Sequence, residues 1–287
     1  QSVKAVFPHL IKHLNSNSAH VRYWIYQILP HAGVQSARHL QKIYKKMDLQ
    51  ERLFILEALA KISDPSSIDF ALECLNDPLW SIRNESSKVL MNLRQKAVGP
   101  LKNIIREGSD NQRYWAFKIL GHMSGEAALE TFENIVVSPN YEEKVRSYAL
   151  TGIQEINSAS TIPLLVKTLE SDLWLLRAQS AKILINHPHS PQKKILEAMH
   201  KGSKNLRYWG FEILQNIIED KHLCMLEEAV KSSDFDFRFQ AIGLISQVKG
   251  ASAAKILSEQ LKDDTWYIRK HCADGLVHLG ATSIPVL

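Results

Sequence analysis

Nine arginines, Arg22, Arg52, Arg83, Arg113, Arg146, Arg177, Arg207, Arg238 and Arg269, recur at gaps of 30, 31, 30, 33, 31, 30, 31 and 31 residues. An interval near 31 residues holds two short helices and two tight turns, and a unit of that size cannot bury its apolar face without stacked neighbours. The expected fold is an all-α solenoid of about nine helical hairpins grown in one dimension, with function placed on surfaces rather than in one central cavity. A single continuous array over residues 1–287 is expected, with units near 1–32, 33–63, 64–94, 95–124, 125–157, 158–187, 188–220, 221–250 and 251–280 and a stub at 281–287. The stub reads as the start of a further unit and the chain has no initiator Met, so the array is expected to be cut from a longer protein.

Within each unit the arginine opens a second helix, B, and the preceding ten to fifteen residues form a first helix, A. Counting the arginine as zero, positions −1, +3, +6, +7 and +10 are mostly apolar or small, as in Val145, Ala149, Gly152, Ile153 and Ile156, or Leu206, Gly210, Ile213, Leu214 and Ile217. At about 100° per residue these positions share one face, which is the face expected to be buried. Cys272 stands at +3, where it reads as a small buried hydrophobe. Pro8, Pro100 and Pro163 fall thirteen or fourteen residues before an arginine, with Pro285 a fourth in the stub, and predict a bend or a first helical turn at one shared register. The 33-residue gap before Arg146 places its extra residues in the loop Val137–Tyr141.

The segments Asp77-Pro78-Leu79-Trp80-Ser81-Ile82-Arg83, Asp172-Leu173-Trp174-Leu175-Leu176-Arg177 and Asp263-Asp264-Thr265-Trp266-Tyr267-Ile268-Arg269 each run from acid through turn to apolar residue and arginine. This pattern resembles the short HEAT-like repeat of phycobilisome lyase subunits and bacterial scaffold proteins, and the resemblance covers the whole chain. It implies a ladder in which arginine and turn aspartate tie neighbouring units, although the aspartate is shifted or missing around Arg22 and Arg207. It implies little about function, because such arrays serve many purposes.

A slower rhythm overlies the first. Arg-Tyr-Trp opens units one, four and seven at Trp24, Trp115 and Trp209, and Trp80, Trp174 and Trp266 mark units three, six and nine, so a block of roughly 93 residues occurs three times. Position +2 lies on the flank of helix B, which predicts packing between units for Trp24, Trp115 and Trp209, while the tryptophan at −3 is expected to cover the helix start. Position +1 points away from the core and reads Tyr23, Leu53, Asn84, Tyr114, Ser147, Ala178, Tyr208, Phe239 and Lys270. In HEAT-like arrays the B helices line the inner wall, so Tyr23, Leu53, Tyr114, Tyr208 and Phe239 are the candidate partner-binding stripe.

Position +5, beside that stripe, carries Lys88, Lys118 and Lys182 as candidate rim contacts among Gln27, Glu57, Thr151, Glu212, Gly243 and Asp274. With Lys270 the inner row holds four positive and three negative groups, a mixture suited to a protein or peptide partner. The net charge of +5 is also thinly spread, with twelve basic against eight acidic residues over 1–94, ten against ten over 95–187 and thirteen against twelve over 188–287. A nucleic-acid groove, such as that of the HEAT-like alkylpurine glycosylases, calls for a heavier and more continuous excess. Deoxyhypusine hydroxylases of HEAT-like architecture hold iron through His-Glu dipeptides, and the sequence has none.

His9 and His13 stand four residues apart without a third ligand at metal spacing, and Cys74, Cys224 and Cys272 match no metal or redox pattern. No phosphate loop or nucleophile motif is present. The resemblance by family name also admits a bilin lyase role. The expectation is a non-catalytic docking module of the reducing cytoplasm, with no cofactor, no metal and no membrane span.

Overall fold

A computed structural model describes residues 2–286, with side chains from Phe7 onward. The described residues are helical with turns between helices, and the pairs follow the arginine beat. The B helices are Ala19–Ile28, Leu49–Ile62, Trp80–Leu93, Asp110–Ser124, Glu143–Ile156, Trp174–Ile185, Lys204–Ile217, Phe235–Gln247 and Trp266–Leu279. Each follows an A helix of its own, from Ser2–His13 through Gln95–Glu107 and Ile162–Thr168 to Ala251–Gln260. The fold is an all-α solenoid. Its contacts gather into two compact units, Gln1–Phe132 with Thr151–Ile156, and Glu133–Leu150 with Asn157–Leu287, and each is described by itself.

The core is built from the B-helix positions that the sequence marks as apolar. Ile82, Val89, Leu90 and Leu93 are buried in the first unit, and Ile268, Cys272, Leu276 and Leu279 in the second. Cys272 is fully buried, and burial pushes its thiol up to about 12. Pro100 lies within the helix Gln95–Glu107, and Pro163 sits in the first turn of Ile162–Thr168, where a missing N–H costs nothing. The helix Leu129–Val137 ends where the long gap puts its extra residues, and Ser138–Glu142 bridges to the next B helix. In the eighth pair the A segment is mostly a 3₁₀ helix, Asp220–Leu226, before the short α-helix Glu227–Val230. The His222 ring nitrogen takes the Glu219 N–H at 3.2 Å and tightens that entry.

Each arginine fastens its own pair. Arg22, Arg83, Arg177, Arg238 and Arg269 donate to the carbonyl six residues back, on Ser16, Asp77, Ser171, Ser232 and Asp263. Arg52, Arg113, Arg146 and Arg207 reach Met47, Arg106, Val136 and Met199 in the same way. These carbonyls terminate or follow the A helix, whose last four lack intrahelical partners and carry the negative end of the dipole. The guanidinium's several donors fit that task, which accounts for an arginine in every unit.

Three of these arginines also reach forward: Arg22 to Glu51 at 2.7 Å, Arg207 to Asp234, and Arg238 to Asp263 at 3.3 Å. Asp234 at the same time caps the Phe237 N–H, and Asp263 accepts the Thr265 N–H at 2.7 Å. Where the acid is displaced near Arg22, the helix residue Glu51 takes its place.

At one crossing the backbones themselves touch. A Cβ placed on Gly121 would run into the Gly152 carbonyl, and one placed on Gly152 would meet the Phe117 carbonyl at 2.8 Å and the Phe132 ring at 2.6 Å. Position +6 of the fifth B helix is a glycine for that reason.

Candidate functional site

The first compact unit carries a groove of about 700 Å³ between the B helices Leu49–Ile62 and Trp80–Leu93. Leu53 and Asn84 at +1, Lys88 at +5 and Met91 at +8 line it, because residues three or four apart share a helix face. Trp80 stands at the N-terminal end of its helix, and Asn92 and His122 lie toward the C-terminal ends. Tyr23 approaches through Phe54, with ring centroids 5.2 Å apart, and Tyr114 stands against Trp115 at 5.8 Å, which in turn lies 6.3 Å from Trp80. The structure thus brings Tyr23, Leu53, Lys88 and, through two tryptophans, Tyr114 around one feature.

The second unit has a smaller groove of about 280 Å³ that unites Tyr208 and Phe239 with Glu212, Gly243 and His271. Phe239 and His271 stack at 4.2 Å with a 12° tilt. Lys182 is exposed on the preceding B helix and does not line this groove.

Exposure along +1 is graded rather than uniform. Tyr208 is 59% exposed and Tyr23 is exposed, while Leu53, Tyr114 and Phe239 are half-buried, Phe239 beneath the His271 ring of the next unit. The rim lysines are partly engaged. Lys88 pairs with Glu85 at 2.6 Å, and Lys118 sits 3.4 Å from Glu155 and 5.5 Å over the Trp115 ring. Glu57 holds Lys61 at 2.7 Å, so the first groove is internally neutralised.

The tryptophans depart from expectation. Trp115 is 2% exposed and does pack inside and Trp209 is half-buried, whereas Trp24 at the same register is 59% exposed. Trp80, Trp174 and Trp266, expected to cover helix starts, are 61%, 64% and 55% exposed. These three are the surface groups that position counting misses. A hint is present in the sequence, for each follows a turn and precedes the first hydrogen-bonded residue of its helix, where no neighbouring turn exists to shield it.

His271, His39 and His187 all have their imidazole pKa pulled below the ordinary value, chiefly by burial; Asp274 partly opposes this at His271. An unfolded chain then binds more protons than the folded one just below the normal histidine pKa, so stability falls as pH drops through that window. Thermal midpoints measured at pH 7.5 and 5.5 are expected to differ in favour of pH 7.5, and His271→Asn is expected to narrow the difference. A midpoint independent of pH over that range would contradict this assignment.

Among the described residues no group of three or more metal-ligating side chains converges, and no helix is long and apolar enough to cross a membrane. No protein-family profile matches the chain, and no curated protein matches it in sequence. Among solved structures it is similar to human deoxyhypusine hydroxylase in complex with glycerol, at 14% identity over 88% of this chain and 97% of that one, with a TM-score of 0.36. It is also similar to the Escherichia coli protein YibA, at 15% identity over 93% and 99% and a TM-score of 0.41. The karyopherin Kap121p bound to the extreme C-terminus of the phosphatase Cdc14p gives 12% identity over 97% of this chain but 38% of that one, with a TM-score of 0.45.

Proposed function

We propose that this chain is a non-catalytic docking module of the short HEAT-like type that binds a protein or peptide along its B-helix face. The observation that carries the reading is the first groove, where the outward row of two successive B helices, Leu53, Asn84 and Lys88, meets the exposed Trp80 ring in one 700 Å³ trough. Such a trough offers apolar area, amide groups for main-chain hydrogen bonds and charges already satisfied at the rim, which suits an extended polypeptide. The repeat type is supported by the unit length and by the arginine fastening of every pair. A reducing cytoplasmic setting accords with three cysteines that form no disulfide. The periodic arginines are committed to carbonyls, which leaves them poor candidates for phosphate contacts.

Random-sequence peptide display on the full chain tests this. Bound peptides of micromolar affinity are expected, and Trp80→Ala and Tyr208→Ala, at exposed sites, are each expected to weaken capture about tenfold or more with little change in thermal midpoint. Selection of no peptide, or peptides indifferent to both substitutions, would sink the docking reading.

A further inference from the structure

We infer that a polypeptide held in the first groove runs on into the cavity beside it and sets acidic side chains against Arg94 and Lys102. This rests on the docking reading and adds the charge of the segment, which that reading leaves open. The cavity, of about 850 Å³, also lies in the first compact unit, and Met91, Asn92 and His122 line both it and the groove. The two spaces are therefore neighbours across the C-terminal ends of the helices Trp80–Leu93 and Asp110–Ser124. Gln95, Val98, Lys102 and Ile105, spaced three and four apart, give the cavity one face of the helix Gln95–Glu107. Leu120, Met123 and Phe132 add apolar area from the two helices that follow.

Groove and cavity differ in charge. In the groove Glu57 holds Lys61 at 2.7 Å and Glu85 holds Lys88 at 2.6 Å. The cavity is lined by Arg94 and Lys102 and, among the described residues, by no carboxylate. Neither cation makes an ion pair or a side-chain hydrogen bond among the described residues. Two unmatched positive charges beside apolar area complement a segment that mixes acidic with apolar residues. Arg94 also sits where its backbone is disfavoured. The turns that leave three other B helices pass through Gly33, Gly125 and Gly280, at φ 73°, 51° and 60° and ψ −147°, −134° and −132°. Arg94 adopts φ 49° and ψ −128°, a conformation natural to glycine and costly for a residue with a side chain. A strained arginine whose guanidinium binds nothing within the chain is kept for a contact outside it.

Two random-peptide display libraries panned on the full chain test this, one encoding Asp and Glu and the other encoding Asn and Gln in their place. Capture from the acidic library is expected to be about tenfold stronger, and Arg94→Gly combined with Lys102→Gln is expected to erase that preference. Arg94→Gly alone is expected to raise the thermal midpoint, because relief of the turn outweighs the greater freedom of glycine in the unfolded chain. A midpoint that falls would show the arginine to be kept for stability and would overturn the inference. So would equal capture from the two libraries, or a preference that survives the double substitution, and either result would leave the docking reading standing. Failure of both libraries to yield any peptide would sink the docking reading and this inference together.

Discussion

Replacing Arg238 by methionine is expected to cost about 3 kcal/mol of unfolding free energy, the range found when one partner of a buried ion pair is removed. Arg238 is 14% exposed and Asp263, its forward partner at 3.3 Å, is 13% exposed, so neither is well hydrated. The same guanidinium donates to the Ser232 carbonyl at 2.5 Å and the Thr265 hydroxyl at 3.2 Å. Methionine keeps the aliphatic stem but strands a carbonyl, a hydroxyl and a carboxylate together. Arg238→Lys is expected to recover part of the loss, because an ammonium restores charge without the fork. The matching change at Arg113, which donates to the Arg106 carbonyl at 3.0 Å, is expected to cost less than Arg238→Met. Chemical denaturation of the three variants decides the matter, and a loss at Arg238 below about 1 kcal/mol, the worth of an ordinary exposed pair, would refute the fastening role.

Gly121→Ala is expected to lower stability by about 2 kcal/mol, although alanine is the better helix former. Intrinsic propensity favours alanine over glycine within a helix by about 1 kcal/mol, and Gly121 lies inside the helix Asp110–Ser124. Against that, the new methyl would strike the Gly152 carbonyl, its carbon and its Cα, all backbone of the neighbouring helix. Backbone cannot rotate aside as a side chain can, and forcing extra volume into packed structure costs about 1–3 kcal/mol or more. If Gly121→Ala stabilised the protein, close contact between the helices that carry Gly121 and Gly152 would be wrong.

Much of the architecture is readable because two periods, the 31-residue interval and the 3.6-residue turn, agree on it. Counting from Arg83 assigns Val89, Leu90 and Leu93 to the core, counting from Arg269 assigns Cys272, and all four are buried. Leu53 and Lys88 come from separate units of the sequence, and the structure sets them in one groove. The counting fails where exposure depends on the next unit rather than on helical phase. Trp24 and Trp115 have the same register and opposite fates, 59% and 2% exposed, because the groups that cover the flank come from other helices. Phase reveals the Lys88–Glu85 pair three residues apart on one helix, but not that Lys118 meets Glu155, which belongs to a different helix.

The arginine that closes each helix pair on itself has a consequence for how the protein can be altered. A hairpin whose turn is secured by its own guanidinium brings its fastener along when it is copied or deleted, so whole units of about 31 residues are natural cassettes for lengthening or shortening the protein, whereas a cut inside a unit separates the clasp from its carbonyl.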